Sequence, residues 1–231
     1  MTPEHRTTRA ATAHHAEAEA RRDADRGRLL DATLAHIPFD GWSQTSLDSG
    51  AADCGLAGQT ARLFPDGVTE VAAFYGARLD RLTLAAAAKA DLAALKVRER
   101  VATVVRLRLE LMAGEREAVR RLVSFIALPP NAPLGVRLTL SASNTLWRAI
   151  GDRSTDFSYY TKRAILAGVY SSTVLFWLTD RSEDNADTWA FLDRRIADVL
   201  KIMPRLNPGR WLSRLPVIGA AFAADPAARR S

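Results

Sequence analysis

The side chains that could do covalent or metal chemistry are few in this sequence and badly placed for it. The four histidines, His5, His14, His15 and His36, all fall in the first sixth of the 231-residue chain, and Cys54 is the only cysteine. A Ser-His-Asp arrangement or a histidine-rich metal centre would have to be assembled from that N-terminal stretch. No nucleophile, base and oxyanion donors cluster elsewhere, so the sequence predicts no catalytic residue, no metal ligand and no cofactor. A lone cysteine gives no disulfide framework, fits a reducing compartment and reads as a small buried hydrophobe.

The chemistry that the residues do suggest is recognition. Trp147, Asp156, Tyr159, Tyr160 and Arg163 stand close together in sequence, and Trp, Tyr and Arg are the side chains enriched at interface hot spots. The competing reading is local: Asp156, like Ser154 and Thr155, can cap a helix through its side-chain oxygen while the aromatics pack nearby. Behind them, residues 164–179 carry no charge. That run is shorter than the roughly 20 residues a membrane-spanning helix needs, so it predicts a helix buried on nearly every side.

The elements that must position these residues are all helical. No apolar/polar alternation of strand type is sustained, and helix breaks fall at Pro38, at 55–65, at 129–133, at Gly151 and at 204–208. The spacing predicts helices over 22–37, 46–54, 57–63, 68–95, 97–112, 115–128, 134–150 and 156–178. A last helix carries Trp189, Leu192, Ile196, Val199, Leu200 and Met203 at steps of three and four and stops before Pro204. The organisation expected is a disordered tail over 1–21, a first module over 22–95, a second over 96–205 and a C-terminal segment over 206–231. Two strongly apolar terminal helices exceed the needs of one small core, and a homodimer pairing them across a two-fold axis would use the surplus. Residues 1–22 lack the apolar stretch of a secretory signal, which points to the cytosol.

The segment LLDATLAHIPFDGWSQTSLDSGAADCGLAGQTARLFPDGVTEVAAFY, residues 29–75, resembles the N-terminal three-helix module of the TetR family of repressors. The likeness lies in a helix ending near Gly41-Trp42, a start at Thr45-Ser46, a Cys54-Gly55-Leu56 turn and a short helix before Phe64-Pro65. In such repressors the helix corresponding to 57–63 enters the major groove. Here Arg62 stands alone against Asp31, Asp40, Asp48, Asp53, Asp66 and Glu70, leaving the module about five charges negative although the whole chain is +6. DNA binding starts with neutralising phosphates, so DNA is not expected as a partner and the module reads as a retained scaffold.

GDRSTDFSYYTKRAILAGVYSSTVLFWLTDRS, followed by DTWAFLDRRI, resembles the ninth Coq protein family across roughly residues 22–203, most specifically over 128–196. The resemblance implies an all-α, TetR-like helical bundle whose C-terminal helices form the homodimer. It further implies a non-catalytic accessory protein of ubiquinone biosynthesis that binds isoprenoid quinone intermediates and presents them to the demethoxyubiquinone hydroxylase. Carried onto this chain, the family's hydroxylase-binding patch falls on Leu146, Trp147, Gly151, Asp152, Asp156, Tyr159, Tyr160 and Arg163. Ser158 and Tyr159 stand where the family commonly has an Asn-Trp pair.

An isoprenoid tail, or a phospholipid in its place, is held chiefly by apolar burial at about 25 cal/mol per Å². The walls expected for it are Val101, Val105, Leu109 and Met112 from one helix with Leu166, Val169, Tyr170, Thr173 and Trp177 from another. The family's terminal amphipathic helix docks on membranes. In this chain Trp211, Leu215, Ile218 and Phe222 would share one face with Arg210 and Arg214 toward another, although Pro216 interrupts the helix. The expected location is the cytoplasm, peripherally on the inner, cytoplasmic membrane. The alternative is a TetR-like transcriptional regulator that senses a lipid.

Overall fold

The computed structural model describes residues 3–151 and 158–202, with side chains for 15–151 and 163–201. Among them the architecture is all-α, with no strand. The helices are α1 (Pro3–Asp40), α2 (Gln44–Asp53), α3 (Thr60–Leu63), α4 (Val68–Lys89), α5 (Val97–Leu111), α6 (Arg116–Ala127), α7 (Ala132–Ala149), α8 (Ser158–Thr179) and α9 (Ala186–Ile202).

The described residues divide into two compact units. One holds those up to Tyr75 together with Glu117–Phe125, and the other holds Gly76–Arg116 and those from Ile126 onward. The division runs through α4 and α6.

In the first unit α1 begins at Pro3, so the stretch from there to residue 21 is helical rather than a disordered tail. Alanine, glutamate and arginine are strong helix formers, and His15–Glu19 and Glu17–Arg21 pair one turn apart at 3.2 and 3.5 Å. Nor does Pro38 end α1. It lies in the last turn, its carbonyl accepts from Arg121 Nη2 at 3.1 Å, and the helix stops at Gly41, whose φ of +69° is a glycine conformation.

α2 starts two residues earlier than the sequence suggested. Ser43 is the cap, its Oγ accepting from Ser46 N at 3.2 Å. Where α2 crosses α1, a Cβ on Gly50 would come within 2.6 Å of the Thr33 backbone, so only glycine allows this approach. The core around that crossing takes Leu29, Leu30, Ile37, Leu47, Leu63 and Val71, with Val119 and Leu122 from α6. Trp42 is buried there, donating Nε1 to the Ala118 carbonyl at 3.0 Å with its ring 5.7 Å from Tyr75. The Arg26 guanidinium lies 4.6 Å from the ring centroids of both Phe64 and Phe74, which pack edge to face at 5.7 Å, and pairs with Glu70 at 2.7 Å. Cys54 is half-buried at the end of α2, not enclosed.

In the second unit α4 ends at Lys89, six residues short of the sequence reading, and the chain turns through Leu92 before α5. Glu99 then accepts from the Lys96 amide at 2.9 Å, closing the first turn of α5. Pro133 falls in the first turn of α7, where its missing N–H costs nothing, so α7 begins at Ala132 rather than Leu134.

α8 departs most from expectation. It buries Leu166, Val169, Tyr170, Thr173, Val174, Trp177 and Leu178 but leaves Gly168 exposed and Leu175 53% exposed, so this chain does not enclose it on every side. Along α9, Leu192 and Ile196 are buried, Trp189 and Val199 are half-buried and Leu200 is exposed, while Met203 lies outside the described residues. Among the described residues no helix is long and apolar enough to cross a membrane.

Candidate lipid-binding and partner sites

Both candidate sites belong to the second unit, in the packing of α5, α7, α8 and α9. All nine wall residues, Val101, Val105, Leu109, Met112, Leu166, Val169, Tyr170, Thr173 and Trp177, are buried at 9% exposure or less. A cleft of about 300 Å³ lies elsewhere, on the more exposed side of α5 against α9, and is lined by Arg98, Glu99, Ala102, Thr103, Arg106, Leu107 and Asp193. Beside it Arg106 stacks on Trp189 at 4.6 Å, and Trp189 Nε1 donates to the Asp184 carbonyl at 2.7 Å.

A polar network sits within the apolar interior, and the sequence reading passed over it. Arg108, 3% exposed, pairs through Nη1 with Asp80 at 2.7 Å and donates the same nitrogen to Thr83 Oγ1 at 3.1 Å. Its Nε donates to the Tyr170 hydroxyl at 3.0 Å. Asp80 also accepts from Ser141 Oγ at 2.6 Å, so α4, α5, α7 and α8 meet in one network. Burial works against the guanidinium charge, but Tyr170 and Asp80 outweigh it and hold the pKa above the ordinary arginine value. The signal was present: Arg108 continues the stripe Val101, Val104, Val105, and Asp80 and Thr83 follow Leu79 on α4. A charge on each of two apolar stripes suggests a buried pair.

Trp177 has a structural partner. Arg116 lies 4.6 Å over its ring and donates Nη2 both to the Trp177 carbonyl and, at 3.2 Å, to the Asp180 carbonyl. A cation closing the last carbonyls of α8 is favourable to the helix dipole. Just beyond, Asp180 accepts from Ser182 N and Oγ at 2.8 and 2.7 Å and from Thr188 N and Oγ1 at 2.9 and 2.5 Å. Desolvation alone would raise its pKa, but these hydrogen bonds prevail and depress it well below the usual carboxylate range. The turn they enclose contains Asp184 and Asn185, both at positive φ, 50° and 56°.

The predicted partner patch is split by burial. Leu146 is fully buried and Arg163 is 5% exposed, its Nε donating to Asn144 Oδ1 at 2.5 Å while its carbonyl accepts from Ser143 Oγ at 2.7 Å. Arg163 therefore binds α8 to α7, and neither residue presents much surface. Trp147 is half-buried and Gly151, at φ +81°, is exposed at the end of α7. Tyr159 and Tyr160 lie in the first turn of α8, with side chains outside the described set. Asp152 and Asp156, with the possible caps Ser154 and Thr155, lie outside the described residues, as do Trp211, Leu215, Ile218 and Phe222.

Comparison with known proteins bears on this region directly. The COQ9 family profile matches residues 132–203, from α7 through α9. The proteins called "Ubiquinone biosynthesis protein COQ9, mitochondrial" from Bos taurus and Homo sapiens are each 34% identical over 182 residues, covering 76% of this chain and 57% of theirs. The protein of that name from Drosophila melanogaster is 28% identical over 193 residues, covering 82% of this chain and 59% of its own. The chain thus spans less than two thirds of the length of these relatives. Among solved structures, a TetR transcriptional regulator from Nitrosomonas europaea superposes with a TM-score of 0.61 at 19% identity, covering 77% of this chain and 99% of that one. That likeness shows a TetR-like helical fold, and the sequence matches show that the chain is similar to the COQ9 family from α7 through α9 and to its members in ubiquinone biosynthesis over most of its own length.

Proposed function

We propose that this chain is a non-catalytic lipid-binding accessory protein of ubiquinone biosynthesis, taking up isoprenoid quinone intermediates and presenting them to the demethoxyubiquinone hydroxylase. The observation that carries the reading is the COQ9 match over 132–203, which takes in all eight partner candidates and five of the nine wall residues. The relatives' own names place them in ubiquinone biosynthesis. The first unit supports a role other than DNA reading. Its α3 has four residues, too short to lie along a groove, and six acids face one arginine over 29–75. The likeness to a repressor carries the fold alone, and salt-dependent binding of duplex DNA would turn the assignment toward a lipid-sensing regulator.

In this reading the chain is a homodimer, and the apolar interior of the second unit opens to hold the ligand. The N-terminal end of α8 with Trp147 meets the hydroxylase, and residues 206–231 rest peripherally on the cytoplasmic face of the membrane. Organic extraction of the purified protein, followed by mass spectrometry against an unrelated control protein, tests the ligand. Enrichment of quinone-pathway isoprenoids is expected, and extracts indistinguishable from the control overturn the reading. For the partner, Tyr160→Lys and Trp147→Lys should weaken capture of the hydroxylase while leaving lipid content intact. Undiminished capture would remove the patch from the proposal. Deleting Trp211 to Ser231 should lower liposome co-sedimentation, and equal sedimentation would remove the membrane segment.

A further inference from the structure

We infer that the turn joining α6 to α7 is a membrane-inserting tip, its apolar side chains entering the surface of an anionic lipid bilayer while Arg137 meets the headgroups. The inference rests on the peripheral-membrane reading above and gives that reading a second contact, separate from residues 206–231.

Residues 122–136, LVSFIALPPNAPLGV, carry no charge, and residues 118–151 hold no carboxylate. An uncharged stretch of a folded domain ordinarily turns its large side chains inward, as Leu122 and Leu134 do here. The middle of this one turns outward. Leu128 is 54% and Val136 41% exposed, and Pro129, Pro130, Ala132 and Pro133 between them are exposed as well. Apolar side chains gathered in one turn mark a contact surface, which singly scattered ones do not.

The backbone of the turn suits a bilayer. Pro129, Pro130 and Pro133 have no N–H, the Asn131 amide donates to the Leu128 carbonyl at 2.9 Å, and the Ala132 amide donates to the Pro129 carbonyl. Positions 129 to 133 therefore carry no unbonded amide into an apolar medium, where each would be costly, whereas water makes no such demand. The turn is also preformed. Gly135 approaches Ile126 so closely that a Cβ there would lie 3.2 Å from the Ile126 Cβ, and Leu134 is buried, so insertion orders little that is not already fixed. Arg137, exposed and next to Val136, can reach a lipid phosphate with its stem along apolar surface, and no acid within 118–151 repels that phosphate.

The test uses the full chain with vesicles of phosphatidylcholine alone or of phosphatidylcholine mixed with phosphatidylglycerol. Leu128→Asp should lower the partition coefficient for the mixed vesicles roughly tenfold. Arg137→Gln should lower it about three- to fivefold there and leave binding to phosphatidylcholine unchanged. Val97→Asp, at a side chain 61% exposed on α5, should change neither. An environment-sensitive fluorophore on Leu128→Cys, in a chain that also carries Cys54→Ser, should shift its emission to the blue on the mixed vesicles, a readout that needs no loss of binding. Full binding by Leu128→Asp, an equal loss in Val97→Asp, or an unshifted fluorophore on vesicle-bound protein overturns the inference. Binding lost on deleting 211–231 but unaltered by Leu128→Asp removes the tip and leaves the membrane segment standing. A wild-type chain that binds neither vesicle overturns the peripheral-membrane reading, and the tip with it.

Discussion

The two units fill their interiors with different materials. Around the crossing of α1 and α2 the interior is mostly hydrocarbon, set by a glycine that lets two backbones touch, and of its two buried polar rings, Trp42 and Tyr75, Trp42 donates to a carbonyl. The interior of α5 and α8 instead encloses an arginine with its carboxylate, a threonine and a tyrosine, and α7 meets α8 through a second buried arginine. Hydrocarbon packing rewards volume and shape. A buried charge network rewards one arrangement of partners and penalises every incomplete one. The first interior is thus fixed chiefly by shape, and the second by the partners of its buried charges.

Breaking the second kind of interior should do the most damage. Arg108→Ala strands Asp80, and the loss expected by urea denaturation is about 3–5 kcal/mol. If the contrast between units is sound, pairing Arg108→Met with Asp80→Leu recovers most of that loss, since two apolar groups can replace a buried pair. Next comes the shape-limited interior. Gly50→Ala places a methyl against the Thr33 backbone and should cost about 1–3 kcal/mol. A neutral result there would mean that the crossing is looser than the geometry shows.

Asp180 sharpens the comparison through pH. Asp180→Asn should cost about 1–2 kcal/mol at neutral pH, because four hydrogen bonds lose their ionised acceptor. The folded carboxyl titrates below its unfolded value, so this stabilisation is complete above about pH 4 and drains away as the pH falls toward the depressed folded value. The stabilities of wild type and variant should converge in acid, and a gap independent of pH would assign the loss to packing. The smallest effect belongs to Phe39, 82% exposed, where Phe39→Ser should change stability by less than about 0.5 kcal/mol.

Much of the fold was legible because helix periodicity and proline punctuation are local signals. The starts of α4 and α5 and the bounds of α6 were read to within about a residue. The errors have physical causes. Pro38 looked like a terminator, yet a proline in a last turn breaks little, and Gly41 was the actual stop. Residues 3–21 looked like a tail because their polar composition offers no core face, but helix propensity and one-turn ion pairs need none. The nine residues expected as walls are all buried. Their polar centre escaped because Arg108 and Asp80, 28 positions apart in sequence, each read as solvated charge on its own helix. The burial of Arg163 was hidden in the same way, since its partners Asn144 and Ser143 lie on a different helix.

The carboxylate of Asp180 also acts as a ruler. It grips Ser182 and Thr188 at once, so the number of residues between those points is fixed by the reach of one side chain. Asp184 and Asn185 take left-handed backbone angles to fit that span. A peptide tag or fluorophore loop inserted between Glu183 and Asn185 would pull Thr188 from the clasp and uncouple the start of α9 from the end of α8. Gly114, with nothing within 4 Å of where a side chain would begin, is the better place to splice a reporter into this chain.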